Sequence, residues 1–196
     1  MWVTGNIGGM ASTPKPDQIV AIATDVLARD GLDQFVMRRI AGLADMKLGN
    51  LQYYFPTRDD LLEAVVRSEF VQDLAAMNAV EESDPHRRLS GVVDALSNRW
   101  FARNGSVYLP IAVLALHDPR FERTISEIYA EFYSLMSDIV SAIDPATTAA
   151  TAKRRAFLMT SLLDGASLQP GRNDPAIRDS LVDDLKQLAS SIAEGR

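Results

Sequence analysis

The segment Val36–Phe55, VMRRIAGLADMKLGNLQYYF, gathers residues whose types and spacing make a specific demand. Two short helices crossed at a steep angle need apolar groups where they meet, a small residue at their closest approach, and a turn that admits a left-handed backbone. Ile40, Ala44, Met46, Leu51 and Tyr54 fit the apolar places, Ala41 the close approach and Asp45 the turn. Asp is one of the few side chains other than glycine that tolerates such a backbone. Around them Arg38, Arg39, Lys47 and Arg58 stand against Asp45 alone, a local net of +3 in a chain whose total is −6. Residues 61–196 carry 14 basic and 19 acidic groups. A short basic patch beside an acidic body is the charge segregation of a nucleic-acid-reading element joined to a separate domain.

Other chemistries find little support. The 196 residues include no cysteine, which excludes disulfides, thiolate metal sites and thiol catalysis and suits a reducing, cytoplasmic compartment. Only His86 and His117 offer imidazoles, so no metal site is expected, and His117 reads as a structural histidine. Glu81-Glu82 and the scattered aspartates are carboxylates on loops and solvated helix faces, and no phosphate-binding glycine loop or nucleophile elbow accompanies them. An enzyme is therefore not expected, and no cofactor. A helical adaptor that does not bind DNA remains the main rival. The apolar run Val107–Leu116 is about half of the ~20 residues that a membrane span needs. Met1–Ser12 lacks a basic start and an apolar core, so residues 1–13 read as a flexible arm.

The elements that must position the motif are helical. Four Asp-Pro pairs (84–85, 118–119, 144–145 and 174–175) each precede an apolar pattern with period 3.6. Asp can cap a first turn and proline fits the first helical position, so each pair predicts a helix start. Ile19, Ile22, Ala23, Val26 and Leu27 form another stripe, which Gly31 closes as a left-handed cap. Thr57 and Asp60 make a capping-box analogue ahead of Leu61, Leu62, Val65 and Val66. Asn104-Gly105 breaks the chain before a short apolar helix at 108–117. The fold expected is all-α, with about nine helices: a helix-turn-helix domain at 14–60 and a helical body at 61–196.

Residues 19–66 resemble the DNA-binding domain of the tetracycline-repressor (TetR) family. The matching parts are IVAIATDVLARDGLDQF, RRIA and GNLQYYFPTRDDLL, about a quarter of the chain. The Leu163-Asp164-Gly165 break late in the penultimate helix also agrees. The resemblance implies a recognition helix from about Leu48 to Tyr54 in the major groove of DNA, with Leu48, Asn50, Gln52 and Tyr53 outward and Leu51 and Phe55 inward. Amides such as those of Asn50 and Gln52 can pair bidentately with adenine, at ~1–3 kcal/mol of discrimination each. Gly49 would let the backbone approach DNA closely, and Arg38, Lys47, Tyr54 and Arg58 match phosphate-contacting positions. Val36 and Lys47 depart from the family's threonine and serine caps, each losing ~0.5–2 kcal/mol of capping.

The same resemblance implies a ligand-responsive regulator, a repressor by preference, bound to a palindromic operator as a homodimer. It places the interface on the last two helices, about 145–165 and 174–194. Ala149, Ala152 and Ala156 read as a small-residue face there, and Leu181, Leu185, Leu188 and Ile192 as an apolar stripe. The central helices hold most of the remaining aromatic residues. Trp100, Tyr108, Phe132 and Met136 are the residues expected to line a pocket for a small amphipathic effector.

Overall fold

The structure is a computed structural model that describes residues 15–102, 107–171 and 173–196. Nine α-helices follow one another among the described residues: α1 (Pro16–Asp30), α2 (Met37–Leu43), α3 (Leu48–Tyr54), α4 (Arg58–Asn78), α5 (Pro85–Ala102), α6 (Tyr108–Ala115), α7 (Pro119–Ile143), α8 (Ala149–Leu168) and α9 (Arg178–Glu194). The chain is all-α, as the periodicity requires. None of these helices is long and apolar enough to cross a membrane. The expected arm at 1–13 and the Asn104-Gly105 break lie outside the described residues.

Helices α1 to α3 pack around Ile19, Ala23, Leu27, Phe35, Ile40, Ala41 and Leu51, which are buried. Asp45 has φ 50°, the positive value expected at the turn between α2 and α3. That backbone lets the Met46 N–H donate back to the Ala41 carbonyl at 3.0 Å. Gly31 also has positive φ, at 79°, but its ψ of 179° leads the chain out extended instead of into a left-handed cap. The capping box at Thr57 forms as expected: Asp60 N–H donates to Thr57 Oγ1 at 3.1 Å, and Thr57 N–H to Asp60 Oδ2 at 2.8 Å.

Two of the four Asp-Pro pairs start helices. Asp118 Oδ1 accepts from the Arg120 N–H at 2.8 Å, and Asp84 Oδ1 from the Arg87 N–H at 2.8 Å. The other two do not. Asp144 instead accepts from Arg155 Nη1 at 2.7 Å, so Thr148 takes the cap and α8 begins at Ala149. Asp174 closes a local turn to the Ala176 N–H at 2.9 Å, and α9 begins only at Arg178. At Asp144 the capping side chain is engaged by Arg155, whereas Asp174 makes the same contact to the second residue on as Asp118 does, but in a turn that stops short of α9.

Helices α7 and α8 pack along each other, and α9 lies against α5 and α8. Arg155 ties three helix ends together, because Nη1 also donates to the Ala193 carbonyl at 2.9 Å near the end of α9. Its side chain is 14% exposed, so few of its donors could turn to water instead. Arg155→Met should therefore lower unfolding stability by ~1–3 kcal/mol, since it strands a part-buried carboxylate and a helix-end carbonyl. Denaturant titration of the variant reads this directly.

Candidate nucleic-acid interface and central cavity

Leu51 is wholly buried at the centre of α3 and fixes which side of the helix faces out. Gly49, Asn50, Gln52 and Tyr53 are exposed, Tyr53 at 83%. A β-carbon on Gly49 would meet nothing within 4 Å, so the space beside that backbone is open. Leu48 departs from its expected outward place: it is half-buried and packs on the core from the first turn. Tyr54 departs in the other direction. Expected between the two helices, it is 36% exposed, with its ring edge-on to Tyr53 at 5.3 Å.

The cations divide into two kinds. Arg38 and Lys47 are exposed, and no ion pair is found for them among the described residues. Arg39 instead pairs with Asp30 at 2.7 Å. Arg58 turns back into the protein: Nε donates to the Phe35 carbonyl and Nη2 to that of Leu32, both at 3.0 Å, with the guanidinium 5.9 Å from the Phe35 ring. It clamps the start of α4 to the loop after α1. Neither Val36 nor Lys47 caps its helix through the side chain, so the first N–H groups of α3 have no such acceptor.

From this motif α4 runs back into the body, where Arg120 at the start of α7 grips it. Arg120 Nη2 lies 2.6 Å from Asp60 Oδ1, and its Nε donates to Glu63 Oε2 at 2.9 Å. Thr124 donates to Glu63, and Arg67 bridges Glu63 and Glu127. Hydrogen bonds from Thr57 and Arg120 lower the pKa of Asp60. Burial works against ionising Glu63, yet its bonds to Arg120, Thr124 and Arg67 outweigh it and keep its pKa low.

Further along α4, Glu69 and Asp73 meet a cavity of about 150 Å³ enclosed by α4 to α8. Trp100, Tyr108, Tyr129 and Asp164 also line it, and a side chamber of about 20 Å³ shares those residues and adds Phe132. Asp73 is 2% exposed and accepts three bonds: from Arg99 Nε at 2.5 Å, Trp100 Nε1 at 2.8 Å and the Tyr108 hydroxyl at 2.6 Å. The Tyr129 hydroxyl donates to Asp164 Oδ2 at 2.8 Å. Burial and these carboxylates push both tyrosine pKa values up.

Three of the four residues expected at a pocket therefore line this space. Met136 does not: one helical turn past Phe132, it is fully buried in the core. The sequence reading missed the carboxylates. Their signal was a polar residue at a core spacing, as in the stripe Val66, Phe70, Asp73 and Met77.

The small-residue face also requires correction. Ala152 and Ala156 are buried against their own body, and so is Leu185. The large apolar side chains left exposed on α8 and α9 are Phe157 at 52%, Leu158 at 48%, Leu188 at 50% and, beside the cavity, Leu168 at 41%.

These elements define a class: a helix-turn-helix on a helical body that holds a cavity lined by aromatic rings and carboxylates. The chain has the fold of the TetR-family transcriptional regulators. A regulator from Rhodococcus sp. Rha1 superposes with a TM-score of 0.79 at 25% identity, over 93% of this chain and 97% of that one. A TetR regulator from Haloarcula marismortui gives 0.75 at 20% identity, over 92% and 96%. A protein from Saccharomonospora viridis described as a transcriptional regulator, in complex with choline, gives 0.70 at 18%, over 91% and 95%. In sequence, an uncharacterised helix-turn-helix-type regulator of Xanthobacter autotrophicus is 38% identical over 69 residues, which is 35% of this chain and 34% of that relative. The match thus spans about a third of the relative's length. No family model matches the chain.

Burial raises the pKa of Asp164 from 3.8 to about 6, with the nearby Asp73 adding to the shift and the bond from Tyr129 opposing it. The folded chain thus keeps a proton between about pH 4 and 6 that the unfolded chain has released. Stability from this group is present at low pH and lost as pH rises through that window. The stability advantage of Asp164→Asn over the parent should therefore grow by ~1–3 kcal/mol between pH 4 and pH 7. Paired denaturation curves across that range test it, and a constant difference would refute the assignment.

Proposed function

We propose that the chain is a dimeric transcriptional regulator that reads a palindromic operator in double-stranded DNA and is released by a small ligand, acting as a repressor in the cytoplasm. Residues 14–60 are the DNA-reading unit and residues 61–196 the effector-binding and dimerising body. The observation that carries this reading is the exposed row Gly49, Asn50, Gln52 and Tyr53 on α3, fixed by the buried Leu51. Amides on a short helix, flanked by the exposed cations Arg38 and Lys47, suit base edges and phosphates respectively. The helix-turn-helix regulators that share the fold support it. Tyr54, exposed at the end of α3, also has access to a phosphate, whereas Arg58 acts mainly by positioning the motif.

Operators read by such motifs are spaced by about one helical turn of DNA, ~34–36 Å between half-sites, which calls for two copies of the chain. The exposed Phe157, Leu158 and Leu188 make the face for that pairing. The cavity is the effector site, and the neighbour that binds choline favours a small-molecule occupant there. Its wall includes Glu69 and Asp73 of α4, the helix that follows α3 in the chain and is clamped through Arg58 to the loop after α1. A ligand that binds better to one placement of α4 shifts the population toward it and changes the fit to DNA.

Sites selected from random duplex DNA should be palindromic, and binding should weaken steeply with salt. Asn50→Ala and Gln52→Ala should each cost ~1–3 kcal/mol and relax preference at one base pair. Lys47→Ser should lower the salt slope by about one and raise stability by ~0.5–2 kcal/mol through the restored cap. A gel shift across salt that showed no sequence preference would leave the adaptor as the better reading. Phe157→Glu should yield a folded monomer in sedimentation, with operator affinity lost.

A further inference from the structure

Among the described residues, the cavity wall carries more carboxylates than cations. Among the described residues that line it, Glu69, Asp73 and Asp164 are acidic and Arg99 is basic. Arg99 is committed to α4, with Nε 2.5 Å from Asp73 and Nη2 3.8 Å from Glu69. Asp164, on the opposite wall, is in a different position. Tyr129 donates a hydrogen bond to one of its oxygens, and no cationic side chain among the described residues pairs with it. A hydroxyl can satisfy a lone pair but cannot neutralise a charge. Ionised Asp164 therefore faces the cavity with no counter-charge paired to it among the described residues.

The remainder of the wall is aromatic. Trp100, Tyr108 and Tyr129 line the same space, with Trp100 and Tyr108 6.4 Å apart between ring centroids. Electron-rich rings attract a desolvated cation. An anion would meet the Asp164 carboxylate, and a neutral apolar compound would displace water from Asp164 and offer nothing in return. The volume of about 150 Å³, with the side chamber, suits a molecule on the order of ten non-hydrogen atoms.

We infer that the effector accepted by this cavity is an organic cation, a small amine or quaternary ammonium compound with an apolar body, paired to Asp164 and packed among Trp100, Tyr108 and Tyr129. The inference rests on the reading of the cavity as the effector site and adds the ligand's chemical class. Affinity for such a cation rises with pH as Asp164 ionises, near pH 6. The groups that face Asp164 during that change are Asp73 and Glu69 from α4, Arg99 from α5, Tyr108 from α6, and Tyr129 and Tyr133 from α7.

Benzyltrimethylammonium and 2-methyl-1-phenylpropan-2-ol have the same number of non-hydrogen atoms and nearly the same shape, but only the first is charged. Calorimetry with the full chain and no DNA should give the cation at least ~10-fold tighter binding at pH 7.5. That preference should shrink at pH 5. Asp164→Asn should abolish it while leaving the alcohol's affinity unchanged, and the melting curve of the variant reports its folding. Trp100→Leu should weaken the cation ~10-fold while Asp164 stays in place. Equal affinity for the two compounds, an unchanged preference in Asp164→Asn, or no binding of either overturns the inference. A gel shift with the selected operator separates the two levels: binding of the cation without release of DNA preserves the cation site and removes the effector role.

Discussion

The centre of the molecule depends on how one buried carboxylate is satisfied. Asp73 is 2% exposed, and an ion so far from water carries a desolvation penalty of several kcal/mol. Its three donors come from α5 and α6, so α4, α5 and α6 are held at mutual positions that satisfy one group. A hydrocarbon core of the same shape would hold the helices together as well or better. What the polar arrangement adds is an interior face that stays electrostatically active.

The other end of α4 repeats the device with different residues. Arg120 grips Asp60 and Glu63 from α7, while Arg58 grips the carbonyls of Leu32 and Phe35. Charge-assisted bonds of this kind are stronger and more directional than contacts between neutral groups. Helix α4 is thus gripped from the body along its length and fastened to the motif at its first turn. The cavity and the exposed face of α3 share this one rigid element.

Much of the scaffold was legible in the sequence because local signals agreed with the packing. Asp45, the capping box at Thr57 and Asp60, and the short α3 each follow from residue chemistry within a few positions. The starts of α8 and α9 were not legible, since Asp144 looks like a cap until Arg155 engages it, and Asp174 caps only a local turn that stops short of α9. The cavity was half legible. Trp100, Tyr108 and Phe132 stand out by size, but whether an aromatic residue borders space or core is decided by neighbours distant in the chain, and Met136 fell on the wrong side. Asp73 and Asp164 were visible as charges. Their inward orientation depends on partners 26 to 35 residues away. The alanine face of α8 failed for the same reason: small residues permit close approach without specifying whether the partner belongs to the same chain.

The clamp at Arg58 has a geometric consequence. From Arg58 to Asp73 the helix rises ~22 Å at 1.5 Å per residue. A tilt of α4 by about five degrees about its cavity end would sweep its other end sideways by ~2 Å, and Arg58 would carry the loop after α1 with it. In the proposed dimer, two copies related by a twofold axis would be displaced in opposite senses, and the separation of their α3 helices would change by ~4 Å. That is more than one base-pair step, 3.4 Å along the duplex axis, and the Arg120 bonds to Asp60 and Glu63 are the contacts such a tilt would have to break.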